Sequence, residues 1–423
     1  MQRRKMKIRI GKLFLVLMSF AVGGATFVCL DYFYSRAILR MDHERRLPSA
    51  WTTACNVPDP VRHHAFRPNC AETLRWGKDS YQQFTNSLGF RDDRIRQVPL
   101  ADPRPRLLFL GDSMTQGMVA WSDSYAGKIA ARLPQYEILN GGIWGYSPSN
   151  YLNVARMVLA AGVEFDEAVV FIDISDVQDE AAYYQDVDAS GAVTGPDRER
   201  WVHTWYADFR PRISRYLLLT NRIFEFVEQE MVRHGYYHLT VSQFGNTFDL
   251  ERSAWTYRRV SDRYPYLTGY APLGVEGGIA KEKTKMALLW QELAKRNIPI
   301  SVVVSPWPAQ VVHDTADSPQ VRIWRDWCAG KCKRFISLFP FFLAVRDQCP
   351  ASEPGCWYRS YFIFGDVHYT AAGNAVVADA VIKSLEAMPA AKLPPTKGKT
   401  AASRTSTTLL RSNVKKKSHI TLS

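Results

Sequence analysis

The sequence lacks the motifs of several large enzyme classes. It contains no Gly-rich phosphate-binding loop and no Gly-x-Gly-x-x-Gly dinucleotide fingerprint, which argues against nucleotide-dependent chemistry. It has no Gly-x-Ser-x-Gly elbow either, the motif that presents the nucleophile in the α/β-hydrolase fold. Its histidines and cysteines do not show zinc-ligand spacing. We therefore expect no cofactor and no metal ion.

Acidic residues are missing from both ends of the chain. Residues 1–12 carry six Lys or Arg and residues 391–423 carry eight, with no Asp or Glu in either segment. When these cations are removed from the net charge of +13, the body is left with −1. The basicity belongs to the ends, so no folded nucleic-acid-binding face is expected.

A long apolar run follows the first basic segment. Leu13 to Leu30 are eighteen residues without a charge, and Asp31-Tyr32-Phe33-Tyr34 comes next. This length is just enough to span a bilayer, with aromatic residues at the far interface. A cleaved signal peptide is the alternative, but its apolar region usually has only about 7–15 residues. We interpret residues 13–33 as a transmembrane signal anchor whose basic N-terminus stays in the cytoplasm.

The cysteines suggest the compartment of the body. One lies in the apolar run, and six lie outside it, at positions 55, 70, 328, 332, 349 and 356. Six cysteines allow fifteen pairings, and the most local one joins Cys55–Cys70, Cys328–Cys332 and Cys349–Cys356. An even number outside the anchor fits an oxidising compartment. We therefore expect the body to face the periplasm, with the anchor in the inner membrane.

Strand and helix patterns alternate from residue 105 onward. Strands are predicted at 106–110, 136–140, 168–173, 299–305 and 333–338, and helices at 122–133, 149–161, 280–296 and 371–387. Such alternation predicts an α/β fold, a three-layer α/β/α sandwich with a parallel, flavodoxin-like sheet. The predicted organisation is a cytoplasmic N-terminus (1–12), the anchor (13–33), a stalk that wraps onto the body (34–100), a catalytic domain (101–388) with a helical, aromatic insertion (177–279), and a disordered basic tail (389–423).

A serine directly follows the first predicted strand. Gly111-Asp112-Ser113 comes after the apolar run Arg106–Leu110, and the carboxyl ends of parallel strands are where open α/β sheets bind ligands. Far along the chain, Asp366-Val367-His368 offers the carboxylate and imidazole that a serine nucleophile needs. The two segments together predict a Ser113–His368–Asp366 triad.

These blocks resemble those of the GDSL/SGNH-type serine hydrolases, in particular membrane-anchored bacterial ones. The resemblance covers about residues 86–387. It implies the SGNH hydrolase fold, with Ser113 as nucleophile, His368 as base and Asp366 as its partner. The family's second block corresponds to Asn140-Gly141-Gly142-Ile143-Trp144-Gly145, which implies that Gly145 contributes an oxyanion N–H. The spacing of the last block, Asp-x-His, is shorter than the family's usual Asp-x-x-His.

The third block departs from the family pattern. Where the family has Gly-x-Asn-Asp, this chain has Asp173-Ile174-Ser175-Asp176. Ser175 stands at the position of the oxyanion-stabilising Asn, and a hydroxyl can also donate a hydrogen bond. The resemblance therefore implies Gly145 and Ser175 as oxyanion residues.

The sequence predicts a membrane-anchored periplasmic serine esterase that acts through an acyl-serine intermediate. Its expected substrate is an acylated cell-surface glycan or another small ester, because of the compartment, the aromatic insertion and the family resemblance. Two alternatives remain open. One is an O-acyltransferase that moves acyl groups to or from a polysaccharide, and the other is a glycan-binding protein with a degenerate site.

Overall fold

The computed structural model describes residues 2–41, 53–77, 79–187, 191–195, 217–220, 222–223, 226, 248–257, 269–350, 352–353 and 355–393. Most of the insertion predicted at 177–279, and the tail beyond residue 393 that was predicted to be disordered, lie outside these ranges. The compact unit that holds the sheet ends at Lys392.

The strands are β1 (Asn56–Asp59), β2 (His63–Phe66), β3 (Ala71–Trp76), β4 (Asp79–Thr85), β5 (Arg91–Asp92), β6 (Arg106–Leu110), β7 (Glu137–Asn140), β8 (Glu167–Ile172), β9 (Gln185–Asp186), β10 (Val193–Thr194), β11 (Ile300–Val304) and β12 (Arg334–Ser337). The α-helices are α1 (Gln2–Met41), α2 (Ser113–Gln116), α3 (Tyr125–Arg132), α4 (Pro148–Ala160), α5 (Ser175–Gln178), α6 (Phe248–Ser253), α7 (Gly274–Ala294), α8 (Pro308–His313), α9 (Pro319–Cys328), α10 (Phe339–Asp347), α11 (Cys356–Tyr361) and α12 (Ala371–Ala387). Short 3₁₀ helices occur at Trp121–Asp123 and Ala254–Thr256, and a π-helix at Asp179–Tyr183.

Five parallel strands form one side of an eight-stranded sheet, from β7 to the edge strand β12, in the order β7-β6-β8-β11-β12. Strands β6, β7, β8 and β11 are buried along their whole length, as expected for a sheet covered on both faces. The order is that of flavodoxin-like sheets, in which ligands bind where the strand order reverses, here between β6 and β8. The predicted α/β sandwich is confirmed, and the five predicted strands agree with the observed ones to within one residue at each end.

Helices cover both faces of this sheet. Alternate side chains of β6, β8 and β11, among them Phe109, Phe171 and Val303, join a core that includes residues of α3 and α12. The intervening side chains, such as Leu108 and Val170, point to the opposite face. Helices α4 and α7 pack against each other as a separate pair. Helix α12 has the bounds predicted from sequence, whereas α7 begins six residues before the predicted start.

The segment predicted as a stalk is partly a structural element of the sheet. Strands β5, β4 and β3 continue the sheet beyond β7 with antiparallel pairing, beginning at the Arg91–Asn140 pair. The guanidinium of Arg91 is buried, and it donates to the backbone oxygens of Gln116 and Val119 behind α2. The sheet therefore starts at Ala71 and not at the predicted domain boundary of residue 101.

The chain has an apolar N-terminal helix and the three disulfides that were predicted, while anchoring in a membrane stays a prediction. Within α1, residues Leu15–Ile38 are long and apolar enough to cross a membrane, and they are almost entirely exposed. The three expected disulfides, Cys55–Cys70, Cys328–Cys332 and Cys349–Cys356, are all present, and Cys29 is free.

Candidate active site

Ser113 stands at the carboxyl end of β6, in the turn that leads into α2. Asp112 caps this helix, because its carboxylate accepts the backbone N–H of Met114 at 2.8 Å. The turn requires glycine at position 111, where a Cβ would lie 1.9 Å from the hydroxyl of Thr115. Since Ser113 is the first residue of the helix, its own N–H has no partner within that helix.

His368 and Asp366 reach Ser113 from the loop before α12. A bridge between Phe362 and Tyr369 closes this loop, and the N–H of Ile363 donates to the carbonyl of His368 at 2.8 Å. The Nε2 of His368 lies 2.8 Å from the Oγ of Ser113, and its Nδ1 lies 2.8 Å from Asp366 Oδ1. Ser113 is 7% exposed and His368 is 5% exposed. The structure brings the three predicted triad residues together in a relay that a serine nucleophile needs.

Trp76, at the end of β3, completes the surroundings of the Asp366 carboxylate. Its indole Nε1 donates to Asp366 Oδ2, while the N–H of Val367 donates to Oδ1 at 2.7 Å. Its ring also meets His368 edge to face, with ring centres 5.5 Å apart. Burial alone would raise the pKa of Asp366, but the charge of His368 and these hydrogen bonds outweigh burial and lower the pKa below its ordinary value.

Sequence reasoning missed Trp76, because it lies in the segment predicted to be a stalk. No motif marks it, and 290 residues separate it from Asp366. An indole donates through a single N–H, so its pairing with a distant carboxylate follows only from the position of β3 in the sheet.

Gly145 lies in the loop after β7 with a backbone φ of +66°. The preceding amides of this loop are engaged: the N–H of Gly142 donates to Asn140 Oδ1 at 3.1 Å, and that of Trp144 to Gln116 Oε1 at 2.9 Å. The carbonyl of Gly145 accepts a hydrogen bond from the Tyr184 hydroxyl at 2.6 Å. Within the described part of the chain, the Gly145 N–H has no recorded acceptor. A free N–H in a fixed loop is what an oxyanion donor requires, and that role of Gly145 stays a prediction.

Ser175, at the start of α5, directs its hydroxyl elsewhere. Its Oγ donates to Asp173 Oδ1 at 2.7 Å, and its N–H donates to the same oxygen at 2.8 Å. A serine hydroxyl has one proton to donate, and in this arrangement Asp173 accepts it. The predicted oxyanion role of Ser175 therefore requires a rotation of its side chain.

A pair of buried carboxyl groups lies directly behind the nucleophile. Asp112 and Asp173 are 5% and 3% exposed, and the Oγ of Ser113 donates to Asp112 Oδ2 at 3.3 Å. Burial, followed by the negative charge of Asp173, raises the pKa of Asp112 well above its ordinary value. Burial of this pair therefore disfavours a negative charge on Asp112 beside the nucleophile.

No protein-family model matches the chain, and no curated protein sequence matches it. Similar solved structures include a variant of Axe2, described as an acetyl-xylooligosaccharide esterase from Geobacillus, with 12% identity, a TM-score of 0.36, and coverage of 68% of this chain and 96% of that one. TesA has 13% identity and a TM-score of 0.35 over 67% of this chain and 98% of that one.

A third similar structure is BT4096, described as a gut microbial diltiazem-metabolizing enzyme, with 11% identity, a TM-score of 0.36, and coverage of 68% of this chain and 48% of that one. At these values the similarities carry no argument about activity or substrate. The strand order of this chain confirms the predicted flavodoxin-like α/β sheet. The distances show that Ser113, His368 and Asp366 lie together as predicted, and their catalytic roles stay predictions.

Proposed function

We propose that this protein is a serine esterase that cleaves acyl esters through an acyl-serine intermediate. The observation that carries the proposal is the continuous Ser113–His368–Asp366 relay, with two distances of 2.8 Å. A binding protein that had lost catalysis would have no need to keep this geometry. The relay lies at the edge of the sheet where ligands enter folds of this type.

The residues of the site account for each proton transfer. His368 Nε2 takes the proton of Ser113 Oγ as that oxygen attacks the ester carbonyl, and Asp366 stabilises the resulting imidazolium. The N–H groups of Ser113 and Gly145 supply hydrogen bonds for the negative oxygen that develops. His368 then gives the proton to the leaving alcohol. In the second half, His368 activates a water molecule, which releases the acid and restores Ser113.

The proposed location is the inner membrane, with the catalytic domain in the periplasm. The apolar helix Leu15–Ile38 supports anchoring, since its side chains are almost entirely exposed within the described part of the chain. The three disulfides support an oxidising compartment. The basic residues before the helix support a cytoplasmic N-terminus.

The proposed substrate is an acylated carbohydrate. Aromatic side chains support this choice: Trp76 flanks His368, and Tyr184 holds the loop that contains Gly145, where Trp144 stacks on His64. Aromatic rings pack well against the apolar faces of sugars. Acyl transfer to a sugar hydroxyl differs from hydrolysis only in the acceptor of the second half-reaction.

The test uses the full chain in detergent, prepared with its disulfides oxidised. Hydrolysis of p-nitrophenyl acetate should be measurable and should vanish in Ser113→Ala, with release of acetate from an acetylated oligosaccharide as the second readout. A folded wild type without activity on either ester would refute the proposal. Acceptor-dependent formation of an acylated sugar would identify a transferase, and glycan binding without turnover would identify a binding protein.

A further inference from the structure

The outer end of α1 is tied to the insertion by a buried carboxylate. Asp31, the first charged residue after the apolar run, accepts the N–H of Leu219 at 3.0 Å and that of Thr220 at 2.7 Å. It also accepts the Thr220 hydroxyl at 2.6 Å. Ser35, one turn further along α1, donates to Asp31 at 2.9 Å and accepts the N–H of Leu218 at 2.8 Å.

These contacts cap the start of a helical segment. Residues 218–220, 222–223 and 226 are helical, and the first N–H groups of a helix have no partner within it. Asp31 and Ser35 supply acceptors for three consecutive N–H groups at the start of this segment. An ionisable residue at the end of a membrane helix is expensive unless it is paired, and here backbone and hydroxyl donors pair it. The segment therefore starts at the level where α1 leaves its apolar run.

The helical segment exposes an apolar face. Leu219 is 41% exposed, Ile223 is 52% exposed and Phe226 is 61% exposed. Their spacing of four and three residues places them on one side of the helix. At the same level α1 exposes Leu30, Phe33 and Tyr34, so the face adjoins the apolar surface of the proposed membrane span.

We propose that the face formed by Leu219, Ile223 and Phe226 lies in the headgroup–acyl boundary of the bilayer that α1 crosses. The proposal rests on the anchoring proposed above. A helix with an apolar face and polar surroundings binds a membrane surface in the interface plane, and the Asp31 cap holds this helix beside the span. This contact with the bilayer, in addition to that of α1, would limit rotation of the catalytic domain about the anchor. The site would then be held at a fixed height above the membrane.

The test measures lipid contact of the face in the full chain. In a Cys29→Ser background, Ile223→Cys carries a fluorescent label, and the protein is reconstituted into phosphatidylethanolamine–phosphatidylglycerol vesicles that contain acyl-brominated lipid. Leu288→Cys, a labelled position on the exposed surface of α7, is the matched control. Val22→Cys, within the proposed span, reports on anchoring.

We expect quenching at 223 to exceed that at 288 several-fold, and Asp31→Ala to abolish the excess. Equal quenching at 223 and 288, with strong quenching at 22, would overturn the inference and leave the anchor intact. Loss of quenching at 22 as well would refute the anchoring itself. A label at 223 that is shielded from water but not quenched by the lipid would indicate contact with a second copy, which also overturns the inference.

Discussion

Replacement of Trp76 by Phe tests whether the sheet extension takes part in catalysis. The change keeps a ring of similar shape against the cluster of Leu74, Tyr81 and Met118, but it removes the N–H that Asp366 Oδ2 accepts. A hydrogen bond to a charged group is worth about 1.5–3 kcal/mol. If the whole amount is lost from stabilisation of the imidazolium in the transition state, kcat/KM falls about 10- to 150-fold, at tenfold per 1.36 kcal/mol.

The pH dependence of the loss separates this role from simple packing. Without the indole donor, burial of Asp366 is less well offset, so the pKa of that carboxyl rises and it protonates more readily. The deficit of Trp76→Phe in ester hydrolysis should therefore grow as the pH is lowered. Trp327→Phe, on α9, is the matched control and should leave kcat/KM unchanged.

The thermal unfolding of both variants must be measured beside the kinetics. A Trp76→Phe enzyme that stays folded and retains wild-type kcat/KM at every pH would refute the reasoning. So would a deficit that is constant with pH and equal to that of Trp327→Phe, because it would mean that the ring only fills space.

Three further predictions follow from the buried groups. Asp112→Asn should keep the helix cap and raise the free energy of unfolding at neutral pH. The reason is that the pKa of Asp112 is higher in the folded than in the unfolded state, so this carboxyl lowers stability as the pH rises above about 4. Urea unfolding at two pH values measures the difference, and a variant that is less stable than the wild type at neutral pH would count against the prediction. Burial lowers the pKa of His64 to about 4, so the free energy of unfolding should fall by up to about 3 kcal/mol as the pH drops from 6.5 towards 4. His64→Gln should not show this pH-dependent decrease. An equal decrease in both proteins would contradict the prediction. Ser175→Ala should reduce kcat less than tenfold, since its hydroxyl donates to Asp173, whereas a loss of about 10²–10³ would identify it as an oxyanion donor.

The sequence was sufficient to predict the parallel core and the proximity of Ser113, His368 and Asp366, for physical reasons. Buried parallel strands are continuous apolar runs, and Arg106–Leu110 and Ile300–Val304 have that pattern with clear limits. The serine follows a recognisable strand, and the Asp-x-His pair precedes a recognisable helix. The rule that the carboxyl ends of parallel strands meet at one edge places the serine at the ligand-binding edge. Local disulfides were likewise the simplest pairing of six cysteines.

The antiparallel extension could not be predicted in the same way. The sequence of β4, Asp-Ser-Tyr-Gln-Gln-Phe-Thr, is polar, and its residues alternate between exposed and buried positions. Its partner β3 is half-buried for most of its length. Short polar strands at the edge of a sheet have little intrinsic signal, because their stability comes from cross-strand neighbours. The hydroxyl direction of Ser175 depends on Asp173 and is equally invisible in the spacing of the motif.

The antiparallel extension, β3 to β5, connects the N-terminal part of the chain with the candidate active site. Between α1 and the nucleophile, the chain passes through the hairpin of β1 and β2, the disulfide Cys55–Cys70 and then β3, which ends at Trp76. Since Trp76 donates to Asp366, any displacement of β3 alters the surroundings of the Asp366 carboxylate directly. A catalytic domain that began at residue 101 would lack this donor and three strands of its sheet. The part of the chain that supports Asp366 therefore includes β3, and the disulfide Cys55–Cys70 joins the start of that strand to the preceding hairpin segment.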